Sequence, residues 1–565
     1  FITEGLRFKA LASFKNWSST TNSASAGWNK YHLQDFSVDD NGVYSFVTRL
    51  QNESGGEVST DLKPGVANSG DRRFYFQAIM DYNRTFGKHD VNAMFIYNQD
   101  ELVTQLFSGD LIAALPKRKQ GVAARLSYAY DGKYLAEVNM GYNGSENFAK
   151  GHRWGFFPSI AVGYNISEEA FFEPLKNVFS NMKIRASWGL VGNDNIGGAR
   201  FVYMPTINLT GTGYTTGLDG DITYKGPVYS RYGNPEVTWE VGKKVNVGLD
   251  LQLFNSLNLT MDYFHETRTD IFQERGTIPQ YLGTAGTKVF GNLAAMKNQG
   301  FDFAADFNKK IGKDWFISFK GTFTYAHNEI TKYDESPKYA FQSKVGQSAN
   351  IPSIMISDGL FKDPDDVKNS NQQIGGNLSA GDIKYVNISK LYGYDDDIVD
   401  ISDWVWAKNP TVPEIVYGFG PSIRWKNLDF SFFFQGVAKV SLVMSDFHPF
   451  GDNSLRNVLT WIADDRWSPD NQNINATYPR LTRDTSVNNT QRSDYWLRNA
   501  AFIKLKNAEI GYTYKNMRFY VSGMNLATFS PFKHWDPEQG GGNGLKYPTQ
   551  RVFNFGFQMT INNNR

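Results

Sequence analysis

The strongest constraint in this chain is a double alternation. Stretches of period-2 sequence, apolar and polar by turns, are joined by connections that run short, then long, then short again. Period 2 is the side-chain period of a β-strand, whose successive residues point to opposite faces. In residues 244–253, Val245, Val247, Leu249, Leu251 and Leu253 share one face, and Lys244, Asn246, Gly248, Asp250 and Gln252 share the other. After the tight-turn pair Asn255-Ser256, Leu257, Leu259, Met261 and Tyr263 oppose Asn258, Thr260 and Asp262. Residues 182–190, 315–325 and 428–434 repeat the theme.

About seventeen segments read this way, near 5–17, 25–34, 72–85, 89–102, 119–131, 133–143, 155–166, 181–191, 240–254, 257–271, 298–309, 314–327, 416–426, 428–437, 501–514, 518–526 and 551–561. Short connections fall at Gly87-Lys88, Asp131-Gly132, Asn255-Ser256, Ile311-Gly312, Lys426-Asn427 and Lys515-Asn516. Long ones fall near 35–71, 103–118, 192–239, 272–297, 328–415, 438–500 and 527–550. The stretch 167–180 holds a short-turn position but is longer, and reads as containing a helical turn.

One architecture gives that parity a cause. Outer-membrane barrels have short periplasmic turns and long extracellular loops, with apolar side chains facing lipid and polar ones facing the lumen. A soluble sandwich has no reason to lengthen every second loop, and a propeller would repeat at a constant length. The predicted fold class is therefore all-β: a transmembrane antiparallel β-barrel occupying residues 1–565.

Composition agrees with this reading. Aromatics make up 15% of the 565 residues, with 43 Phe, 30 Tyr and 13 Trp, and Gly reaches 52. Mean hydropathy is nonetheless −0.45, and no apolar run approaches the ~18 residues of a membrane helix. A soluble all-β protein has a similar composition, so the parity carries the distinction. With 58 Lys+Arg against 57 Asp+Glu, no global field draws in nucleic acid. Cysteine is absent, which excludes disulfides, cysteine zinc sites and thiol nucleophiles.

Catalytic signatures are missing. His32, His89, His152, His265, His327, His448 and His534 share no metal-ligand spacing, and neither a P-loop nor a nucleophile elbow occurs. The chain is expected not to be an enzyme. Asp395, Asp396, Asp397, Asp400 and Asp403 form an acidic cluster. It reads either as a Ca2+ loop, since hard cations take several closely spaced carboxylates, or as a solvated acidic loop. Trp154, Trp188, Trp239, Trp425 and Tyr514, near strand ends, are expected in interfacial girdles. The loop aromatics Tyr203, Tyr214, Tyr224, Tyr229, Trp404, Trp406, Trp461 and Trp467 are candidate substrate contacts. They could equally pack the loops or meet a partner.

An ordered series of strings resembles the SusC/RagA-like TonB-dependent outer-membrane transporters of Bacteroidetes. It runs from Phe157 to Tyr164 with Ile166-Ser167-Glu168-Glu169, then Met182 to Gly189 with Gly192-Asn193. It continues through Asn234 to Glu240 with Asn246 to Asp250, then Pro413 to Gly418 and Trp496 to Asn507. Asn525-Leu526 and Asp536-Pro537-Glu538 complete it. The resemblance implies a barrel of twenty-two strands, of which seventeen would be present here. The N-terminal plug, the TonB box and five strands would lie upstream, and the first strand here would descend from the outer surface. FITEGLRFKA begins in mid-pattern without a signal peptide, in keeping with a fragment.

In the final strand Asn554, Gly556, Met559 and Ile561 resemble the barrel-assembly signal, although the chain runs on to Arg565 instead of ending on an aromatic residue. The family's calcium-like loop follows a Gly-Asp-Ile-Lys-Tyr string, here Gly381 to Tyr385. The Asp-x-Asn-x-Asp-Gly core expected after it is replaced by Ser389 to Gly393. The implied function is TonB-dependent import of a glycan or oligopeptide across the outer membrane of a Gram-negative bacterium of the Bacteroidetes. Its implied partners are a SusD-like surface lipoprotein, the TonB–ExbB–ExbD complex and outer-membrane lipid. Two rival readings remain: a passive porin or secretion barrel, and a soluble glycan-binding β protein or glycoside hydrolase, the last of which would require a paired acidic site.

Overall fold

Alternating aromatic, β-branched and polar residues pair here into one wall. The computed structural model describes residues 3–561 apart from 51–60, 105–111, 113–114, 280, 282–285, 395–396, 446–457 and 483–485. Sixteen strands form a single sheet in chain order. They are β1 Leu6–Ser25, β2 Lys63–Phe86, β3 His89–Val103, β4 Lys117–Tyr130, β5 Tyr134–Ser145, β6 Trp154–Asn165, β7 Phe179–Asn193 and β8 Glu240–Leu253. There follow β9 Leu257–Glu274, β10 Phe290–Ile311, β11 Trp315–Lys332, β12 Ile415–Trp425, β13 Leu428–Ala438, β14 Phe502–Tyr514, β15 Met517–Phe529 and β16 Val552–Met559. Each pairs antiparallel with the next. Among the described residues β1 and β16 have one hydrogen-bonded neighbour each, so the sheet is open between them.

The count corrects the expected seventeen. The 25–34 segment is not a wall strand. Ser25 ends β1, and among the described residues Tyr31–Val38 pairs only with Tyr44–Leu50, in a hairpin inside the 26–62 connection. The alternation fades after Trp17, where the sequence turns to Ser, Thr and Asn, but backbone pairing does not need an apolar face. β1 stays paired to β2 from Leu6↔Tyr82 to Ser25↔Lys63. The connection after the first strand therefore lies on the long side, the reverse of the direction expected for it.

Parity otherwise holds. One end of the sheet carries 26–62, 104–116, 146–153, 194–239, 275–289, 333–414, 439–501 and 530–551; the other carries tight turns. At Asp131 and Gly132 both φ angles are positive (52° and 67°), the mirror-image turn that matches strand twist. At β8–β9 the left-handed residues are Phe254 and Asn255, one position earlier than the sequence suggests. The turn closes when the Ser256 N–H donates to the Leu253 carbonyl at 2.9 Å. The 166–178 connection holds two 3-10 turns, Ile166–Glu168 and Ala170–Leu175, in place of a hairpin.

The two faces of the sheet are chemically opposite, and the polar one is sheltered. Along β5, Tyr134, Val138, Met140 and Tyr142 are exposed, whereas Glu137, Asn139 and Asn143 are half-buried. A water-soluble sheet hides its apolar face; this one presents it. Phe430, Tyr512, Phe519 and Val521 continue the apolar face on later strands. It follows that Val138→Arg should lower the unfolding free energy in lipid vesicles by about 2–4 kcal/mol, and Asn139→Arg by far less. Equilibrium denaturant titration of the full-length protein checks this; equal costs at the two positions would contradict the assignment of faces.

Candidate functional site

The polar face carries charge, and several of its charges are paired within the wall. Arg185 on β7 donates to Asp250 on β8 (3.1 Å) and reaches Asp262 on β9 (2.6 Å). To do so it crosses Gly248, the β8 residue in register with both Arg185 and Asp262. A Cβ there would sit 2.5 Å from the guanidinium carbon. The arrangement recurs: Arg518 on β15 crosses Gly511 on β14 to Asp429 on β13, and also meets Glu509 at 2.5 Å. Arg268 joins Glu240 and Glu266 at 2.9 and 2.8 Å. Toward the tight-turn end, Asn92, Ser127, Glu137, Lys183 and Arg185 line a cavity of about 570 Å³.

The long connections build a second structure above this wall. Stretches 333–414, 439–501 and 530–551 share one apolar core that includes Met355, Ile383, Tyr385, Val399, Trp467, Tyr478, Trp496 and Phe532. The Gly381-to-Tyr385 string lies at its centre. Gly381 has φ +84° with the Trp467 ring against it, where a Cβ would be 2.3 Å away. Asp382 is buried and accepts from Arg480 (3.0 Å) and Asn489 (2.8 Å), and Gln373 bonds both backbone groups of Tyr385. Burial raises the phenol pKa of Tyr385, Tyr478 and Tyr495.

This loop structure is bolted to the wall by Lys504 of β14, whose side chain is 1% exposed and donates to Asp536 (2.7 Å) and Glu538 (2.5 Å). Burial alone would raise both carboxyls. The Lys504 ammonium outweighs it and holds them below the ordinary carboxylate range. Two of the strings behind the resemblance, 496–507 and 536–538, meet at this bolt. A third, 234–240, pins a smaller core of Phe148, Ile196, Val202, Val237 and Trp239.

The loop aromatics do not converge on one site. Tyr214 and Tyr224 lie opposite each other, exposed, on the Thr206–Thr216/Ile222–Arg231 hairpin; Tyr229 stacks on Tyr232 at 4.9 Å and Tyr203 meets Phe201 edge-on. Three of the four tryptophans are part of the loop core or pack against it. Trp467 is buried in it, Trp404 and Trp461 pack against it, and Trp406 donates to the Ser343 carbonyl at 2.9 Å. A long loop needs large apolar side chains to fold at all, and tryptophan supplies the most area. Among the expected girdle residues, Trp154 stacks on Tyr142, Trp425 on Trp315, and Trp188 and Tyr514 are exposed. Trp239 is not in a girdle: it is buried, donating to the Arg153 carbonyl at 3.1 Å.

Asp395 and Asp396 lie outside the described residues. Asp397 pairs with Lys390, and Asp400 and Asp403 form a capping box, with Asp403 buried and accepting the Ser389 N–H. Among the described residues no group of three or more His, Asp or Glu is placed to hold a metal ion. On β16, Asn554 lines a wall cavity and Gly556 lies under the Tyr520 ring, while Met559 and Ile561 are exposed. Sequence reasoning missed Lys504, Asp382 and the two bridged glycines; Gly248 and Gly511 each stand in register with an acid on the adjacent strand, a signal visible only once pairing is known.

The profile of the TonB dependent receptor-like β-barrel family matches residues 3–526. The chain belongs to this family. It is a family of outer-membrane receptors and transporters, not of enzymes. TonB-dependent receptor P3 of Formosa agariphila is 25% identical over 562 residues, covering 88% of this chain and 54% of that protein. TonB-dependent receptor SusC of Bacteroides thetaiotaomicron is 27% identical over 470 residues, covering 77% and 43%. The chain thus spans about half the length of these relatives. The RagAB peptide transporter superposes with a TM-score of 0.70 at 20% identity, over 99% of this chain and 60% of that one, and shares its fold.

Two outcomes follow for the barrel and its loop structure. Lys504→Ala removes the buried cation shared by half-buried Asp536 and exposed Glu538 and should cost about 1–3 kcal/mol, read as a lower unfolding midpoint together with faster proteolysis of 530–551. His534 stacks on Trp461 at 4.7 Å; burial, with Arg498 second, lowers its pKa. The unfolded histidine therefore takes a proton first, and loop stability should fall as pH drops below about 6.5. In limited proteolysis across pH, His534→Gln should flatten that dependence.

Proposed function

We propose that this chain is the barrel portion of a SusC/RagA-type importer in the outer membrane of a Bacteroidetes bacterium. It would carry a glycan or oligopeptide inward with energy supplied through TonB–ExbB–ExbD. The observation that carries the reading is the inverted sheet: a sheltered polar wall and an exposed apolar face in a member of the TonB-dependent receptor family. A wall of sixteen or more strands is too wide for side chains to fill, so its lumen needs water or a plug. On this reading a plug domain encoded upstream fills the lumen, and a TonB pull displaces it. A SusD-like lipoprotein closes the mouth over captured cargo, and the folded loops offer it a preformed seat.

The barrel does no covalent chemistry in this scheme. The wall supplies a polar path, and the loops supply recognition. Calcium has no part in the scheme.

Energy coupling separates this function from passive diffusion. Uptake of the cognate oligomer by cells carrying the full-length gene should stop when a protonophore collapses the proton-motive force or when tonB is deleted. A pore would keep conducting under both treatments, and that result would end the proposal.

A further inference from the structure

At the long-loop end of the wall, a cavity of about 610 Å³ lies between the start of β4, the β5–β6 connection and residues 193–200. Its charged lining is lopsided: with Arg118 paired to Glu101, Lys117, Lys119 and Arg200 stand against Glu146 and Asp194, three cations to two carboxylates. Two of these three cations are already committed. Arg200 is buried and donates to the carbonyls of Ile112, Leu115 and Pro116, 3.5 Å from Glu146, which fixes the segment entering β4. Arg118 pairs with Glu101 at 2.8 Å on the other face of the sheet. Lys119 donates to Asp194 at 2.7 Å, and the other oxygen of Asp194 accepts from the Ser145 hydroxyl at 2.7 Å.

Lys117 is left. It stands two residues before Lys119, hence on the same face of the strand, and among the described residues it has no ion-pair partner. Around it stand the amides of Asn193 and Asn195, whose oxygens accept the Asn195 and Gly197 N–H groups and leave their NH2 groups as donors, and that of Asn147, which donates to the Asp194 carbonyl. The backbone of Gly197-Gly198 faces open space, with no atom within 4 Å of where a Cβ would be. An amide-lined cavity with one unpaired lysine, its Asp194 carboxylate bonded on both oxygens and its Glu146 beside Arg200, is complementary to an anion that accepts several hydrogen bonds.

We propose that this cavity is a carboxylate-binding subsite for cargo, with Lys117 as its charged contact and Lys119, held by Asp194, beside it. The proposal rests on the import reading and narrows the cargo to oligomers bearing a carboxylate. The carboxylate comes either from a uronic-acid sugar or from the free end of a peptide.

Calorimetry on the purified full-length protein tests it with four probes: trigalacturonate, tetra-alanine with a free C-terminus, tetra-alanine amide, and neutral maltohexaose. One of the first two should bind, and which one identifies the source of the carboxylate. Lys117→Gln should weaken that binding about three- to tenfold and Lys117→Glu should weaken it further, with folding verified by heat-modifiable gel migration. Maltohexaose should be indifferent to both changes. Failure of both carboxylate probes to bind, equal binding of their neutral counterparts, or unchanged affinity in Lys117→Gln would each overturn the subsite. Protonophore-sensitive uptake that ignores Lys117 would remove the subsite and leave import standing. Lys117-dependent binding with protonophore-insensitive uptake would do the opposite.

Discussion

Hydrocarbon offers a backbone no hydrogen bonds, so every N–H and C=O inside it must find a partner on the chain itself. That requirement explains most of this molecule. It forces sixteen neighbouring strands into continuous antiparallel pairing and leaves side chains to differ only by face. It also keeps the tight-turn end simple: a connection such as Lys426-Asn427 needs only to reverse the chain and keep the ladder in register.

The other end obeys a different rule. In water, a connection of several dozen residues stays unfolded unless it buries enough apolar area to offset its lost conformational entropy. Three of the long connections solve this together by pooling side chains into one core. Polar groups caught inside it, Asp382 above all, are matched with Arg480 and Asn489. Lys504 then ties this folded mass to a strand of the wall. The result is two solids with opposite solvent preferences on one chain.

How much of this was legible in the sequence follows the same division. Strands with a strong two-residue alternation, such as β8, β9 and β13, were readable within a few residues, because the membrane enforces the pattern. The Ser- and Thr-rich end of β1 was not, since pairing there continues in water without an apolar stripe, and one extra strand was counted as a result. In the loops the residue types were visible but their partners were not. Tryptophans at 404, 406, 461 and 467 looked like ligand contacts because a lone aromatic in a polar loop carries no label saying whether it faces in or out. Lys504 sits in a recognisable string, yet its acids are more than thirty residues away. Asp400 and Asp403 read equally as cation ligands or solvated acids, and they form a capping box.

The arginines that lean over Gly248 and Gly511 have a consequence for the charge of the polar face. Each shares one positive charge between two acids within three adjacent strands, so both stretches of wall keep a net formal charge of −1. Because one guanidinium clasps both carboxylates, that excess is spread over two side chains instead of standing as a single bare ion.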